Sequence, residues 1–271
     1  MTTRVAARVD AAVALRGARL SYGDRVLWDG LDLDVAPGEF IAVLGPNGSG
    51  KTSLMKVLLG LQPLAAGTVE VVGGPRRIGY IPQQRALDAT LTLRGRDLVG
   101  FGLDGHRWGI GWRGRAVRRE RVDAALEAVG ATRYADSPIG LLSGGEQQRL
   151  RVAQALVGDP GVLLCDEPLL SLDLAHQRVV SDLIDRRRRE ADTAVLFVTH
   201  EINPVLPLVD RVLYLVDGRF RIGTPAEVMT SATLSELYRT NVEVVRVRDQ
   251  IHVVGAQHVC EDEPHHVEEE G

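Results

Sequence analysis

The chain has 271 residues, 45% of them apolar and 25% charged, a globular composition that excludes a disordered or fibrous protein. Thirty-two basic residues face 36 acids, but six of those acids lie in 255–271, which has no Lys or Arg; the rest carries 32 basic against 30 acidic residues, a net +2. That balance argues against a nucleic-acid partner held by a strong basic field.

The longest apolar runs, 40–44 and 162–165, fall far short of the ~20 residues of a membrane span. The polar start MTTRVAARVD has no leader-like apolar core. Two cysteines, at 165 and 260, make no disulfide framework, so a reducing cytoplasm is expected.

Antiparallel strands are expected first. Leu31, Leu33 and Val35 alternate with Asp32 and Asp34, the period of a sheet with one wet face. After the Pro37-Gly38 turn, the run 40–44 suits a strand buried on both faces. A glycine-rich loop then leads to a helix with Leu54, Val57, Leu58 and Leu61 on one face. Short strands are predicted at 69–72 and 77–81.

Strand patterns stop near Gln83 and return after Asp159. Helices are predicted at 94–99, 115–129 and 144–157, with a Gly-, Trp- and Arg-rich loop over 100–114. This reads as a helical sub-domain inserted into an α/β core. The core resumes with a strand at 162–165, a helix containing 179–184, and strands at 195–198 and 212–216. Asp217-Gly218 predicts a hairpin into 219–222. Pro225 starts a short helix, and 242–247 with 250–254 form a last hairpin before an acidic tail.

Gly45-Pro46-Asn47-Gly48-Ser49-Gly50-Lys51-Thr52 matches G-x-x-x-x-G-K-[ST], between a strand pattern and a helix pattern. Glycines let backbone N–H groups turn inward around a phosphate. The helix that follows aims its positive end at the same anion. Lys51 supplies charge to the β- and γ-phosphates, and Thr52 offers a hydroxyl to Mg²⁺. By contrast, Gly100-Phe101-Gly102-Leu103-Asp104-Gly105 spells G-x-G-x-x-G with no buried strand before it. It is read as a loop.

The strand at 162–165 ends in Asp166 and Glu167. A parallel central strand delivers its C-terminal end to the ligand crevice. Asp166 there can hold Mg²⁺, and Glu167 can act as base toward the attacking water. His200 follows the strand at 195–198 and reaches the same crevice; Gln83 sits where core and helical region meet.

With these residues in place, the sequence over roughly 13–254 resembles the ATP-binding subunits of ABC transporters. The decisive element is Leu142-Ser143-Gly144-Gly145-Glu146-Gln147-Gln148-Arg149, which is similar to the family's LSGGQ signature, with Glu146 where Gln is commoner. The resemblance implies a P-loop NTPase core with an antiparallel β sub-domain and a helical sub-domain at about 84–159. A flexible acidic tail would occupy 255–271. Tyr22 matches the aromatic that stacks on adenine. Gly45 to Thr52, with Ser53, match the nucleotide cradle. Gln83, with Gln84 the less favoured register, matches the glutamine that links the helical sub-domain to the nucleotide, a catalytic-site residue whose amide ligates Mg²⁺ beside Thr52 and Asp166 or orients the attacking water. Glu167 and His200 match the base and the switch histidine. Ser171-Leu172-Asp173 matches the loop that crosses a dimer.

The resemblance further implies a homodimer with ATP sandwiched between one cradle and the partner's Ser143, Gly144, Gly145 and Glu146. It implies a separate membrane permease, an extracytoplasmic substrate-binding protein, and a place on the cytoplasmic face of the membrane. The stretches 84–97 and 200–212 resemble the manganese/zinc branch of bacterial importers, with iron-chelate import or efflux as alternatives and a soluble, non-transport ABC ATPase as a more distant one. His258, Cys260, His265 and His266 in the tail are candidate metal ligands or a plain solvated tail. Arg107, Arg113, Arg115, Arg118 and Arg119 face lipid, permease or solvent, and 186–189 reads as a solvated helix end.

Overall fold

The computed structural model describes residues 11–74, 77–83, 92–104, 115–170 and 172–255. The expectations for Gln84, Arg107, Arg113, Ser171 and the tail residues His258, Cys260, His265 and His266 fall outside that range.

The chain opens with β1 (Val13–Tyr22), β2 (Arg25–Val35), β3 (Phe40–Leu44), α1 (Lys51–Leu58), β4 (Ala66–Val71) and β5 (Ile78–Ile81). Three helices follow: α2 (Gly95–Asp104), α3 (Arg115–Ala128) and α4 (Gly144–Leu156). Next come β6 (Val162–Asp166), α5 (Leu174–Ala191), β7 (Ala194–Val198), β8 (Arg211–Val216) and β9 (Arg219–Gly223). The chain closes with α6 (Pro225–Val228), α7 (Ser231–Tyr238), β10 (Glu243–Val247) and β11 (Gln250–Val254).

β1 pairs antiparallel with β2 and β4 in a three-stranded sheet ordered β2-β1-β4. The six-stranded sheet runs β5-β6-β7-β3-β8-β9; its first five strands are parallel, and β9 returns antiparallel to β8. Alternation along each central strand divides its side chains between two layers. Ile41, Val43, Leu164, Leu196 and Val198 meet the small sheet and α1. Phe40, Leu163, Cys165, Val195 and Phe197 meet α2 to α5. Both faces are covered, so these strands carry continuous apolar runs. Cys165 is fully buried and its thiol pKa is pushed up by that burial, so it packs as an apolar side chain.

Three local expectations are corrected. The helix predicted at 94–99 continues to Asp104, so the G-x-G-x-x-G stretch is helical through Asp104 rather than a loop. Its glycines permit close approach: a Cβ on Gly102 would lie 2.0 Å from the Gln154 carbonyl oxygen. Leu61 does not share the buried face of α1, which ends at Leu58; it is exposed beyond that end. The 186–189 run is not simply solvated. Arg186 Nη2 donates to the Ala128 carbonyl at 2.9 Å, Arg187 pairs with Asp159 at 3.2 Å, and Arg188 reaches Gly38 and Asp210. α5 thereby fastens α3 and the α4–β6 turn to the sheet.

Candidate functional site: a phosphate cradle and its carboxylates

The cradle lies between β3 and α1, at the C-terminal edge of the parallel strands. Gly45, Gly48 and Gly50 have φ of +138°, +76° and +96°, values open to glycine at little cost. Space is equally restrictive. A Cβ on Gly45 would lie 2.0 Å from the Leu215 carbonyl oxygen, and one on Gly50 would lie 2.9 Å from Trp28 Nε1. The first turn of α1 holds no acid, so nothing in it offsets the positive helix end.

Lys51 Nζ donates to the carbonyls of Gly45 at 2.7 Å and Pro46 at 2.8 Å. Burial holds its pKa below the usual lysine value, while Glu167 and Asp166 work in the opposite direction. Ser49 is buried, and its Oγ has no partner among the described residues. A buried hydroxyl of this kind costs free energy unless a ligand meets it, so the cradle fits an anion such as a phosphate. Asn47 and Pro46 complete the loop.

Thr52 Oγ1 lies 3.4 Å from Asp166 Oδ1. Asp166, at the end of β6, is buried; burial raises its pKa, the Thr52 hydrogen bond opposes that, and Glu167 adds to the rise. Hydroxyl, carboxylate and the nearby Gln83 amide are hard oxygen donors, the chemistry that suits Mg²⁺.

Glu167 is gripped from both sides. His200 Nε2 lies 2.5 Å from Oε1, and Gln83 Nε2 donates to Oε2 at 2.8 Å. Its N–H donates to the Val198 carbonyl at 3.0 Å, and its φ is +51°. A bulky residue held in the left-handed region marks a position the surroundings over-determine. A cavity of about 270 Å³ opens beside it, lined in part by Leu170, Gln177, Thr199 and His200.

Tyr22 is half exposed, with its hydroxyl 3.4 Å from Ser53 Oγ and donating to Gln62 at 3.3 Å. The ring therefore stands beside the first turn of α1.

Ser143 is the N-cap of α4 in a full capping box with Glu146. Glu146 Oε2 accepts from Ser143 N at 3.0 Å and from Ser143 Oγ at 2.9 Å. Those bonds hold the Glu146 pKa below the usual carboxylate value. Gly145 packs against the His176 ring, which a Cβ would approach to 2.6 Å. Asp173 is the N-cap of α5 and accepts from His176 N at 2.8 Å. Among the described residues, no side-chain hydrogen bond or ion pair joins Ser143, Gly145 or Glu146 to residues 45–52.

The structure thus gathers Lys51, Thr52, Asp166, Glu167, Gln83 and His200 at one edge, and leaves the residues at the start of α4 apart from it. Sequence reasoning missed Arg25, whose Nη2 donates to the Gly48 carbonyl at 3.3 Å, and Trp28 behind Gly50. Neither carries a local signal, because the β1–β2 hairpin reaches the loop only in the fold. Arg119 pairs with Asp123 at 3.6 Å. Among the described residues, no helix is long and apolar enough to cross a membrane, and no three His, Cys, Asp or Glu side chains are grouped so as to hold a metal ion.

Comparison with known proteins gives consistent matches. The family model described as "ABC transporter" matches residues 28–170. The aliphatic sulfonates import ATP-binding protein SsuB 1 of Pseudomonas fluorescens is 40% identical over 218 residues, covering 80% of this chain and 78% of that protein. The zinc import ATP-binding protein ZnuC of Pseudomonas entomophila is 35% identical over 247 residues, covering 90% of each. Among solved structures, the ATP-binding cassette MJ0796, dimeric in a post-hydrolysis state with ADP and Pi, superposes with a TM-score of 0.67. It is 27% identical and covers 78% of this chain and 98% of that one.

Proposed function

The chain belongs to the ABC transporter family as an ATP-binding, ATP-hydrolysing subunit, and from that premise we propose that two copies close head to tail around ATP to power import through a separate permease. One observation carries this reading. The cradle and its carboxylates form one half of a triphosphate pocket, while Ser143, Gly145 and Glu146 start a second helix, held by their own capping box and by His176, with no side-chain bond to that pocket among the described residues. The dimeric state of MJ0796 supports the pairing of such halves.

Within each copy, residues 45–52 wrap the phosphates, Lys51 neutralises the β- and γ-oxygens, and Ser53 with Tyr22 borders the adenosine. Ser143, Gly144, Gly145 and Glu146 of the other copy meet the γ-phosphate from the far side, with Asp173 at the crossing. Thr52, Asp166 and Gln83 hold Mg²⁺, which when bound neutralises phosphate charge. Glu167 takes a proton from water as its oxygen attacks the γ-phosphorus. The β–γ bridging bond breaks and ADP leaves with the electron pair. His200, on Glu167 Oε1, orients the carboxylate and reaches toward the γ-phosphate. Loss of the γ-phosphate removes the bridge, and the copies part.

The ATPase unit is assigned to 13–254, its helical sub-domain to about 84–159, and the permease contact to that sub-domain. The protein works at the cytoplasmic face of the membrane, alongside a permease and an extracytoplasmic binding protein. For cargo, divalent metal, zinc or manganese, is the favoured reading: the zinc-import relative aligns over 247 residues against 218 for the sulfonate-import one. Aliphatic sulfonate is the second reading, favoured by the higher identity of 40%. A deletion strain decides. Lost zinc or manganese accumulation with normal growth on sulfonates supports metal; the reverse assigns sulfonate.

A further inference from the structure

α4 begins at the half-site offered to the other copy, yet its next turn touches the chain beside this copy's own base. Gln148 is fully buried in α4. Its Nε2 donates to the Pro168 carbonyl at 2.9 Å, and its Oε1 has no partner among the described residues. A buried amide left half satisfied is costly where an apolar side chain would pack as well. The bond it does make falls one residue beyond Glu167. There the chain is tightly turned: Glu167 is left-handed, Leu170 N donates to the Glu167 carbonyl at 3.2 Å, and Pro168 fixes its own φ. Holding the Pro168 peptide therefore holds the direction in which the Glu167 side chain leaves the backbone.

A second contact ties the start of α4 to the far end of the same stretch. The His176 ring lies against Gly145, so tightly that a Cβ there would come within 2.6 Å. Its Nδ1 lies 2.8 Å from Asp173 Oδ1, and Gln177 Nε2 donates to the Leu172 carbonyl at 3.1 Å. Pro168 is thus tied to the second turn of α4, and the Asp173–His176 cap of α5 lies against its first turn, which carries Ser143 to Glu146.

We propose that Gln148, with His176, is a positioning residue: it joins the α4 half-site to the Glu167 backbone, so that gripping the other copy's ATP sets this copy's own base. The coupling rests on the head-to-tail reading above; the Gln148–Pro168 bond itself lies within one copy. Displacement of α4 as it closes on phosphate moves Pro168, and with it the carboxylate held by Gln83 and His200. Small misplacements of a base cost large factors in rate.

The test uses Gln148→Met, which keeps length and volume but donates no hydrogen bond. The strut predicts a kcat about 10-fold lower, with KM and the affinity for a fluorescent ATP analogue within about 2-fold of wild type. It also predicts that Gln148→Met combined with Glu167→Gln still forms an ATP-bound dimer on a sizing column, because the phosphate contacts survive. A folded Gln148→Met with wild-type kcat, or a loss carried by KM alone, overturns the proposal. His176→Ala provides the second variant, since that ring is 40% exposed and a surface substitution of this kind costs little stability. A fall in kcat at constant affinity supports the strut; unchanged kcat counts against it. If Glu167→Gln alone fails to dimerise with ATP, the sandwich fails while the kcat result still judges the Gln148 bond, so the two ideas fail separately.

Discussion

Replacing Glu167 by Gln separates chemistry from binding. Gln has the same length, and its amide oxygen can still accept the Gln83 N–H that now lies 2.8 Å from Oε2. The backbone bond from Glu167 N to the Val198 carbonyl is untouched. The cradle lies outside the change, so ATP affinity stays within about 2-fold of wild type. What disappears is the proton acceptor. A positioned general base is worth about 10²–10⁴-fold in rate, which at about 1.4 kcal/mol per factor of ten amounts to roughly 3–5 kcal/mol of barrier. Phosphate release under saturating ATP and Mg²⁺ measures the turnover, and calorimetric titration with a non-hydrolysable analogue measures the affinity. Turnover within 3-fold of wild type would refute the assignment of Glu167 as base. A matched loss of affinity would refute the separation of base from cradle.

Lys51→Ala removes the only ammonium in the cradle and should weaken ATP binding at least 100-fold by calorimetry; an unchanged Kd would contradict the cradle. Ser143→Arg puts a long cation at the start of α4 and should reduce hydrolysis more than 100-fold while leaving the affinity of a single copy intact, as read by fluorescent-nucleotide titration; full activity would contradict the second half-site. Gly102→Ala drives a Cβ to 2.0 Å from the Gln154 carbonyl oxygen. Overpacking of this kind costs about 1–3 kcal/mol, so Tm should fall by several degrees in a calorimeter. An unchanged Tm would mean that α2 shifts freely on α4.

The loop at 45–52 between strand and helix, and the strand at 162–166 ending in acids, were legible because their signals are local: the spacing of glycines, lysine and threonine, and an apolar run ending in Asp166 and Glu167, lie within a few residues. The double-sided burial of β3, β6 and β7 was legible for the same reason, since a parallel sheet between two layers needs unbroken apolar runs. α2 was cut short because Gly100 and Gly102 read as breakers, whereas the fold uses Gly102 to bring α2 against Gln154. Arg186 and Arg187 look like solvated charge until α3 and Asp159 are brought beside them. The grip of Gln83 and His200 on Glu167 spans 84 and 33 positions, and Gln148 meets Pro168 across 20. Only the assembled sheet puts those side chains together, so their hydrogen bonds left no mark on local spacing. Arg25 and Trp28 escaped notice because a hairpin, not a motif, delivers them to the cradle.

The central claim is that each triphosphate pocket is shared between two copies. Light scattering on Glu167→Gln, with and without ATP, measures it directly. The account predicts a mass near the 29.5 kDa of one chain without nucleotide and twice that with ATP, reverting when Ser143→Arg is added. A single-chain mass at saturating ATP, in protein that binds nucleotide normally, would contradict it.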